Sequence, residues 1–303
     1  MTQQQRDAVD ALLRDAPYNG DASVAEQRAT FAARLTQPLP ADVTATETTL
    51  GGRPALALDV AGVRTGPVLL YLHGGGYVVG SARTGARLAV ELARRAGVRA
   101  VSLDYRLAPE HPFPAAVEDG LAAYRELLDT GLRPGEIVVA GDSAGGALAV
   151  ATMLAARDSG LPQPAAAAVL SPWVDLGLSG PSMRTKDGVD PLFTRDRIAV
   201  YAQQYLGDRD REIPLASPLS ADLRGLPPLL VQVGANEVLL DDAVRLAGRA
   251  GAVDVAVTLE VWPGVPHVFQ NFTGLLDDAD AALDRAGRFL AQHLQVPVGS
   301  PRG

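Results

Sequence analysis

Between residues 68 and 294, the hydrophobic positions of the chain alternate between two patterns. Short runs that are apolar on both faces, such as residues 68–72 and 137–140, are typical of buried strands. Longer stretches with apolar residues at helical spacing, such as residues 239–250, indicate amphipathic helices between those strands. Further strands are predicted at 98–103, 166–170, 229–233 and 255–261, and further helices at 88–96, 115–128, 144–156 and 279–294. This alternation predicts an α/β fold, in which helices cover both faces of a mostly parallel sheet.

The two ends of the chain carry helix signals of their own. Two short helices are predicted within residues 4–36, separated by the turn signal Pro17-Tyr18-Asn19-Gly20. Their apolar stripe is too thin to form a core, so we expect them to lie on the rest of the protein. At the other end, Asp277 and Asp278 are placed to cap the start of the last helix. The tail at 296–303 is predicted to be disordered.

A β-hairpin is predicted before the alternating region. Residues 43–48 and 54–60 alternate between polar and apolar positions, and Gly51-Gly52 lies between them. Paired glycines between two such runs are typical of a tight hairpin turn.

One long segment, residues 175–222, interrupts the alternation. It has no strand pattern, is rich in Gly, Pro, Asp and Arg, and contains one predicted helix at 195–205. A structureless loop of this length is uncommon inside a compact domain. We therefore expect residues 1–40 and 175–222 to form a small helical cap, and residues 41–295 to form the main α/β domain that carries the cap insertion.

Composition narrows the classes of partner and of chemistry. The 303 residues carry a formal net charge of −8 and no cysteine. The acidic balance argues against nucleic acid or an anionic membrane surface as a partner. Disulfides and thiol catalysis are excluded. The N-terminus has no apolar core of a signal peptide and no apolar run could span a bilayer, so we expect a cytoplasmic protein without stable membrane association.

The strand predicted at 137–140 runs directly into Gly141-Asp142-Ser143-Ala144-Gly145 and then into a helix. A G-x-S-x-G turn between a strand and a helix is typical of a nucleophile elbow, which exposes the serine hydroxyl. Side chains at Gly141 and Gly145 are expected to collide with neighbouring backbone. The pentapeptide alone also fits a plain glycine-rich turn, so its interpretation depends on the rest of the chain.

Three further features lie where a serine hydrolase needs them. The run His73-Gly74-Gly75-Gly76 follows the strand at 68–72 and offers backbone N–H groups to a developing oxyanion. His267 lies in a loop after the last strand, where an imidazole could take the proton of the serine. Acidic residues follow the strand at 229–233. The chain order serine, acid, histidine is that of the α/β-hydrolases.

The motifs HGGG, YRLAPEHPFPAA (105–116) and GDSAGG (141–146) resemble those of the hormone-sensitive-lipase-like family of bacterial carboxylesterases. The resemblance implies an α/β-hydrolase fold with an N-terminal helical cap, and hydrolysis of short- to medium-chain acyl esters with no cofactor. It implies Ser143 as the nucleophile and His267 as the general base. The N–H groups of Gly75, Gly76 and Ala144 are implied as the oxyanion hole.

The triad acid is where the chain departs from the usual family pattern. Matching the family's acidic pair to Asp241 and Asp242 puts the catalytic position at Glu237, where the family usually has aspartate. Asp241 and Asp242 remain alternatives, although both fit better as acids at the start of a helix. His73 is interpreted as forming hydrogen bonds with the neighbouring backbone, and not as a catalytic residue.

Other functions and the state of association stay open. An amide, lactone or peptide hydrolase would use the same triad, and a small-molecule receptor on the same scaffold would typically lack His267. No residues have metal-ligand spacing, so a metal site is not predicted. The strand at 255–261 is expected to leave an edge exposed, and it favours a homodimer through this strand and the neighbouring helix.

Overall fold

The structure is a computed structural model that describes residues 3–15, 22–63 and 66–295. The predicted turn at 17–20 and the tail at 296–303 lie outside these residues. The helices are α1 (Gln3–Asp15), α2 (Val24–Leu35), α3 (Ala82–Ala96), α4 (Ala115–Asp129), α5 (Ala144–Asp158), α6 (Ser182–Thr185), α7 (Arg195–Leu206), α8 (Leu240–Gly251) and α9 (Asp277–His293). The strands are β1 (Val43–Leu50), β2 (Arg53–Val60), β3 (Val68–Leu72), β4 (Arg99–Leu103), β5 (Ile137–Asp142), β6 (Ala166–Leu170), β7 (Leu229–Gly234) and β8 (Val257–Trp262).

All eight of these strands form one sheet in the order β1-β2-β4-β3-β5-β6-β7-β8. The strands β1 and β2 form the predicted antiparallel hairpin, and β2 also pairs antiparallel with β4. The other pairs are parallel. The predicted α/β fold with a mostly parallel sheet is therefore confirmed, and the loops that follow β3, β5, β6 and β7 meet at one edge.

The core has one layer on each face of the sheet. Along β3, Val68, Leu70 and Leu72 belong to one hydrophobic cluster, and Leu69 and Tyr71 belong to the other. Alternate residues of a strand point to opposite faces, so each strand contributes to both layers. The strand is fully buried as a result, as its continuous apolar pattern predicts.

The predicted capping of α9 by two aspartates is wrong. The residue that caps this helix is Leu276, and Asp277 and Asp278 lie inside its first turn, where they face the positive end of the helix dipole. One Asp278 carboxylate oxygen also accepts a hydrogen bond from Arg6 Nε at 2.9 Å. The side chain thus holds α1 against α9 and does not cap the helix.

The N-terminal helices contact the 175–222 segment and the loops beside it. An Arg14 guanidinium N–H donates to the Val189 carbonyl at 3.0 Å, which joins α1 to the segment. The Arg28 guanidinium of α2 donates to the Val78 and Ala108 carbonyls, each at 2.9 Å. These contacts tie both helices to the edge of the sheet at which the predicted site residues lie.

Candidate active site

Ser143 lies at the sharp turn between β5 and α5. Its backbone has φ 54° and ψ −122°, which is a strained conformation for a residue with a side chain. A Cβ atom at Gly141 would come within 2.3 Å of the Gly145 carbonyl oxygen, and one at Gly145 within 2.0 Å of the Leu72 carbonyl oxygen. Close backbone contacts therefore require both glycines, as the sequence predicts.

The glycine loop after β3 lies beside this turn. Leu72 at the end of β3 pairs with Gly141 of β5, so the residues that follow the two strands are neighbours. Gly75 has φ 123° and its carbonyl accepts hydrogen bonds from the N–H groups of Val78 and Val79 at 3.0 and 2.9 Å. The loop thus turns back on itself next to Ser143.

A buried carboxylate joins the glycine loop to the serine turn. One Asp142 oxygen accepts hydrogen bonds from the Tyr71 hydroxyl at 2.6 Å and from the Gly74 N–H at 2.9 Å. Burial raises the pKa of Asp142, and the two donors act in the opposite direction. Sequence reasoning missed this role. The available signal was an acidic residue at the end of an otherwise apolar strand.

His73 opens the glycine loop but takes a structural position. Its Nδ1 donates to the Gly74 carbonyl at 2.8 Å, and its ring stacks on Tyr105 with centroids 4.2 Å apart. Burial lowers the pKa of His73, which favours the neutral ring. The interpretation that His73 forms a hydrogen bond with the neighbouring backbone agrees with this geometry.

Glu237 and His267 form a buried hydrogen-bonded pair. His267 Nδ1 lies 2.7 Å from Glu237 Oε2, and Glu237 is fully buried. The other carboxylate oxygen accepts from the Gly234 N–H at 2.5 Å and from the Ser171 hydroxyl at 2.8 Å. Because the carboxylate accepts, the proton sits on Nδ1 and leaves Nε2 free to accept a proton from a nucleophile.

The pKa of His267 is raised above its ordinary value. Burial by itself lowers the pKa of this imidazole, and the charge and hydrogen bond of Glu237, together with the charges of Asp190 and Asp142, outweigh the burial. The site therefore stabilises the imidazolium that proton transfer from a nucleophile would create.

The two alternative acids point elsewhere. One Asp241 carboxylate oxygen accepts from the Ser182 N–H at 2.5 Å, at the start of α6. One Asp242 carboxylate oxygen accepts from the N–H groups of Val174 and Asp175, both at 2.9 Å. Both aspartates lie in the first turn of α8, as expected of acids at a helix start.

Ser171 links the serine turn to the histidine loop. Its hydroxyl donates to Glu237 and accepts from the Val268 N–H at 3.1 Å, while the preceding Leu170 carbonyl accepts from the Ser143 N–H at 2.8 Å. Among the described residues, no hydrogen bond within 3.5 Å joins the Ser143 hydroxyl to the His267 ring. Such bonds often tighten only when substrate binds. No sequence signal identified Ser171, because it touches Glu237 only after folding.

Metal-binding groups are a separate question. Within residues 3–15, 22–63 and 66–295, no three His, Asp or Glu side chains are grouped so that they could hold a metal ion.

The strand order and the position of Ser143 between β5 and α5 define an α/β-hydrolase, and residues 69–271 match the family described as the alpha/beta hydrolase fold. An acetyl-hydrolase of Streptomyces hygroscopicus is 47% identical over 225 residues, which cover 74% of this chain and 75% of the relative.

Solved structures add to this likeness. An esterase of the bacterial hormone-sensitive lipase family has a TM-score of 0.93 and 44% identity, with 97% of this chain and 100% of that chain covered. A crystal structure of EstE5 soaked with p-nitrophenyl butyrate has the same TM-score and 40% identity, and the match covers 97% and 99% of the two chains. The chain therefore belongs to the hormone-sensitive-lipase-like family of carboxylesterases. It is a carboxylic ester hydrolase.

Proposed function

We propose that the protein is a serine carboxylesterase that works through a triad of Ser143, His267 and Glu237 and an acyl-enzyme intermediate. The observation that carries the proposal is the 2.7 Å hydrogen bond between Glu237 and His267 Nδ1, since it leaves Nε2 unprotonated. The strained turn at Ser143 lies at the same edge of the sheet and supports the role of this serine as the nucleophile.

In the proposed mechanism, the Ser143 oxygen attacks the ester carbonyl as its proton moves to His267 Nε2. The N–H groups of Gly75, Gly76 and Ala144 stabilise the resulting oxyanion. His267 then gives the proton to the departing alcohol, which leaves the acyl group on Ser143. Water gives a proton to the same imidazole and attacks the acyl-enzyme, and His267 returns that proton to the Ser143 oxygen as the acid leaves. Glu237 keeps the imidazole in the productive tautomer throughout.

Short- to medium-chain acyl groups are the proposed substrates. The backbone N–H of Trp173 donates to the backbone carbonyl of Ser143 at 3.0 Å, so the Trp173 backbone lies next to that of the proposed nucleophile. Tyr77 lies 6.3 Å from Trp173 between ring centroids and stacks on Tyr205 at 3.9 Å. All three aromatic side chains are buried, and we propose that they limit the depth of the acyl pocket. The acetyl-hydrolase relative and the neighbour soaked with p-nitrophenyl butyrate also favour short acyl chains.

We propose that α1, α2 and the 175–222 segment form the cap. The Phe193 ring of this segment meets the His267 ring edge-on, with centroids 5.2 Å apart. The hydrogen bond between Arg14 and the Val189 carbonyl ties the segment to α1. A cap in this position shields the His267 ring from water.

Hydrolysis of a p-nitrophenyl ester series from acetate to long acyl chains tests the function, with Ser143→Ala beside the wild type. We expect turnover of short and medium chains only, and a loss of several orders of magnitude in the variant. Amides and lactones assayed in parallel test the alternative substrate classes. A folded wild-type protein that hydrolyses no ester but binds a small molecule would favour the receptor alternative.

We also propose a homodimer through β8 and α8. The strand β8 ends the sheet, and Leu259 and Val261 on it are 37% and 43% exposed. Val244 on α8 is also exposed. A second copy would cover this edge. Light scattering should give twice the chain mass for the wild type and for the control Leu275→Lys, and the single mass for Val261→Lys. A monomeric wild type would contradict the proposal.

No helix of the described ranges combines the length and apolar character needed to cross a bilayer. The cytoplasmic location stays a prediction.

A further inference from the structure

Asp190 of the 175–222 segment is a buried carboxylate whose role in the site sequence reasoning did not anticipate. It is 5% exposed and accepts three backbone hydrogen bonds. One oxygen accepts from the N–H groups of Leu192 and Phe193 at 2.8 and 3.0 Å, and the other accepts from the Val238 N–H at 2.9 Å. Buried carboxylates with this many donors are fixed in position.

The partners of Asp190 lie on both sides of the proposed base. Val238 directly follows Glu237, so the bond to its N–H holds the backbone that carries the triad acid. The Phe193 and His267 rings form a T-shaped contact with an interplanar angle of 84°. One oxygen of the Asp190 carboxylate therefore holds the loop that carries Glu237, and the other holds Phe193 against the His267 ring.

Charge adds a second effect. The charged groups that act on His267 are Glu237, Asp190 and Asp142, and each favours the imidazolium. Asp190 in turn interacts electrostatically with His267 and with the Arg14 guanidinium. Burial raises the pKa of Asp190, whereas His267 and the three N–H donors favour its ionised form.

We propose that Asp190 is a positioning residue of the active site, which joins the 175–222 segment to the Glu237 loop and places a further negative charge beside His267. The inference rests on the proposed role of His267 as the general base. Asp190 does not touch the reacting atoms. It acts by holding Glu237 and Phe193 in place and by stabilising His267 when it carries a proton.

The test is the pH dependence of kcat/KM for p-nitrophenyl acetate between about pH 5 and 9 in Asp190→Asn. An asparagine keeps one acceptor oxygen and places an NH2 group where the other oxygen was. The hydrogen bonds either to Leu192 and Phe193 or to Val238 are therefore lost. We expect kcat/KM to fall about 10-fold on its plateau, because the acid loop shifts. The acidic limb should move to lower pH, because His267 loses one of three anionic neighbours. Asp187→Asn removes an exposed charge from the same segment and should retain the wild-type profile.

Two comparisons decide the outcome. An Asp190→Asn profile with the acidic limb of the wild type overturns the inference while leaving the proposed triad intact. If the acidic limb of the wild-type profile is still present in His267→Ala, the proposed function itself is overturned. If Asp190→Asn does not fold, Asp190→Glu keeps the charge and displaces the hydrogen bonds. It should lose kcat/KM with its acidic limb unmoved, and wild-type kcat/KM in this variant would overturn the inference.

Discussion

The ring of Tyr201 lies directly against Gly76. A Cβ atom at Gly76 would come within 2.9 Å of Tyr201 Cγ, and no closer backbone atom limits that position. At Gly75, by contrast, a Cβ atom would come within 2.1 Å of the Val79 carbonyl oxygen. Helix α7 therefore packs on the proposed oxyanion loop through a side chain, whereas the loop packs on itself through backbone.

This difference predicts unequal effects of Gly75→Ala and Gly76→Ala. Gly75 has φ 123° and a backbone obstacle, so its alanine variant should unfold at lower temperature and lose more than about 100-fold in kcat/KM. Gly76 has φ 61°, which alanine adopts at a cost of about 1–2 kcal/mol, and Tyr201 can shift. The expected loss of kcat/KM in Gly76→Ala is therefore smaller than in Gly75→Ala. Gly52→Ala is the control, since Gly52 has φ 70° and nothing within 4 Å of the added atom. Equal losses in Gly75→Ala and Gly52→Ala would contradict the argument.

The proposed triad acid can be tested with a variant of the same shape. In Glu237→Gln, the Gly234 N–H and the Ser171 hydroxyl still require an acceptor at one position, so the amide NH2 would face His267. His267 would then place its proton on Nε2 and could not accept one from Ser143. We expect kcat to fall by about 10³–10⁴-fold with the fold intact. Stopped assays measure kcat, and thermal unfolding shows whether the fold is intact.

Asp241→Asn is the matched control for that variant. It changes an acid four residues further on, whose carboxylate accepts from the Ser182 N–H. Turnover close to that of the wild type is expected. Loss in Asp241→Asn with activity retained in Glu237→Gln would reverse the assignment of the acid.

The raised pKa of His267 predicts a specific pH profile. The proposed base must be neutral in the free enzyme, so kcat/KM should fall as the pH drops through the pKa of His267. The midpoint of this acidic limb is expected above about 6.5, the ordinary value for histidine. In Glu237→Gln the limb should move to lower pH, because the largest stabilising charge is gone. A wild-type midpoint well below 6.5 would contradict the prediction.

Local patterns accounted for the strands and the serine turn. Runs such as 68–72 are apolar on both faces because both faces of the strand are buried, so the apolar pattern directly predicts a buried strand. The glycine spacing around Ser143 reflects contacts within a few residues and with the neighbouring strand. Such features are predictable because neighbours in sequence determine them.

Helix α3 and the buried polar contacts were harder to predict. The helix begins at Ala82, before the predicted 88–96, because Ser81 and Thr84 form a capping box and Gly85 lets the helix approach Tyr71. Asp190 and Ser171 touch residues 48 and 66 positions further along the chain. No short-range pattern records such pairs.

The last prediction concerns the Arg28 clamp, the contacts of Arg28 with Glu110 and the Val78 and Ala108 carbonyls. The hydrogen bonds of Arg28 lower the pKa of Glu110 to about 2. A carboxylate with a lowered pKa stabilises the fold above its unfolded pKa of about 4.5, and the contribution is lost as the pH falls toward 2. Because Glu110 is 55% exposed, Glu110→Gln should cost less than about 1 kcal/mol at pH 7.

Arg28→Ala should cost more, about 1–3 kcal/mol, because it also removes the donors to the Val78 and Ala108 carbonyls. Urea unfolding at pH 7 and at about pH 3 measures both variants. The Glu110→Gln difference should shrink at the lower pH, whereas most of the Arg28→Ala difference should remain, because the carbonyls do not titrate. Equal costs for the two variants at pH 7 would show that the surface ion pair, and not the carbonyl contacts, attaches α2 to the loop.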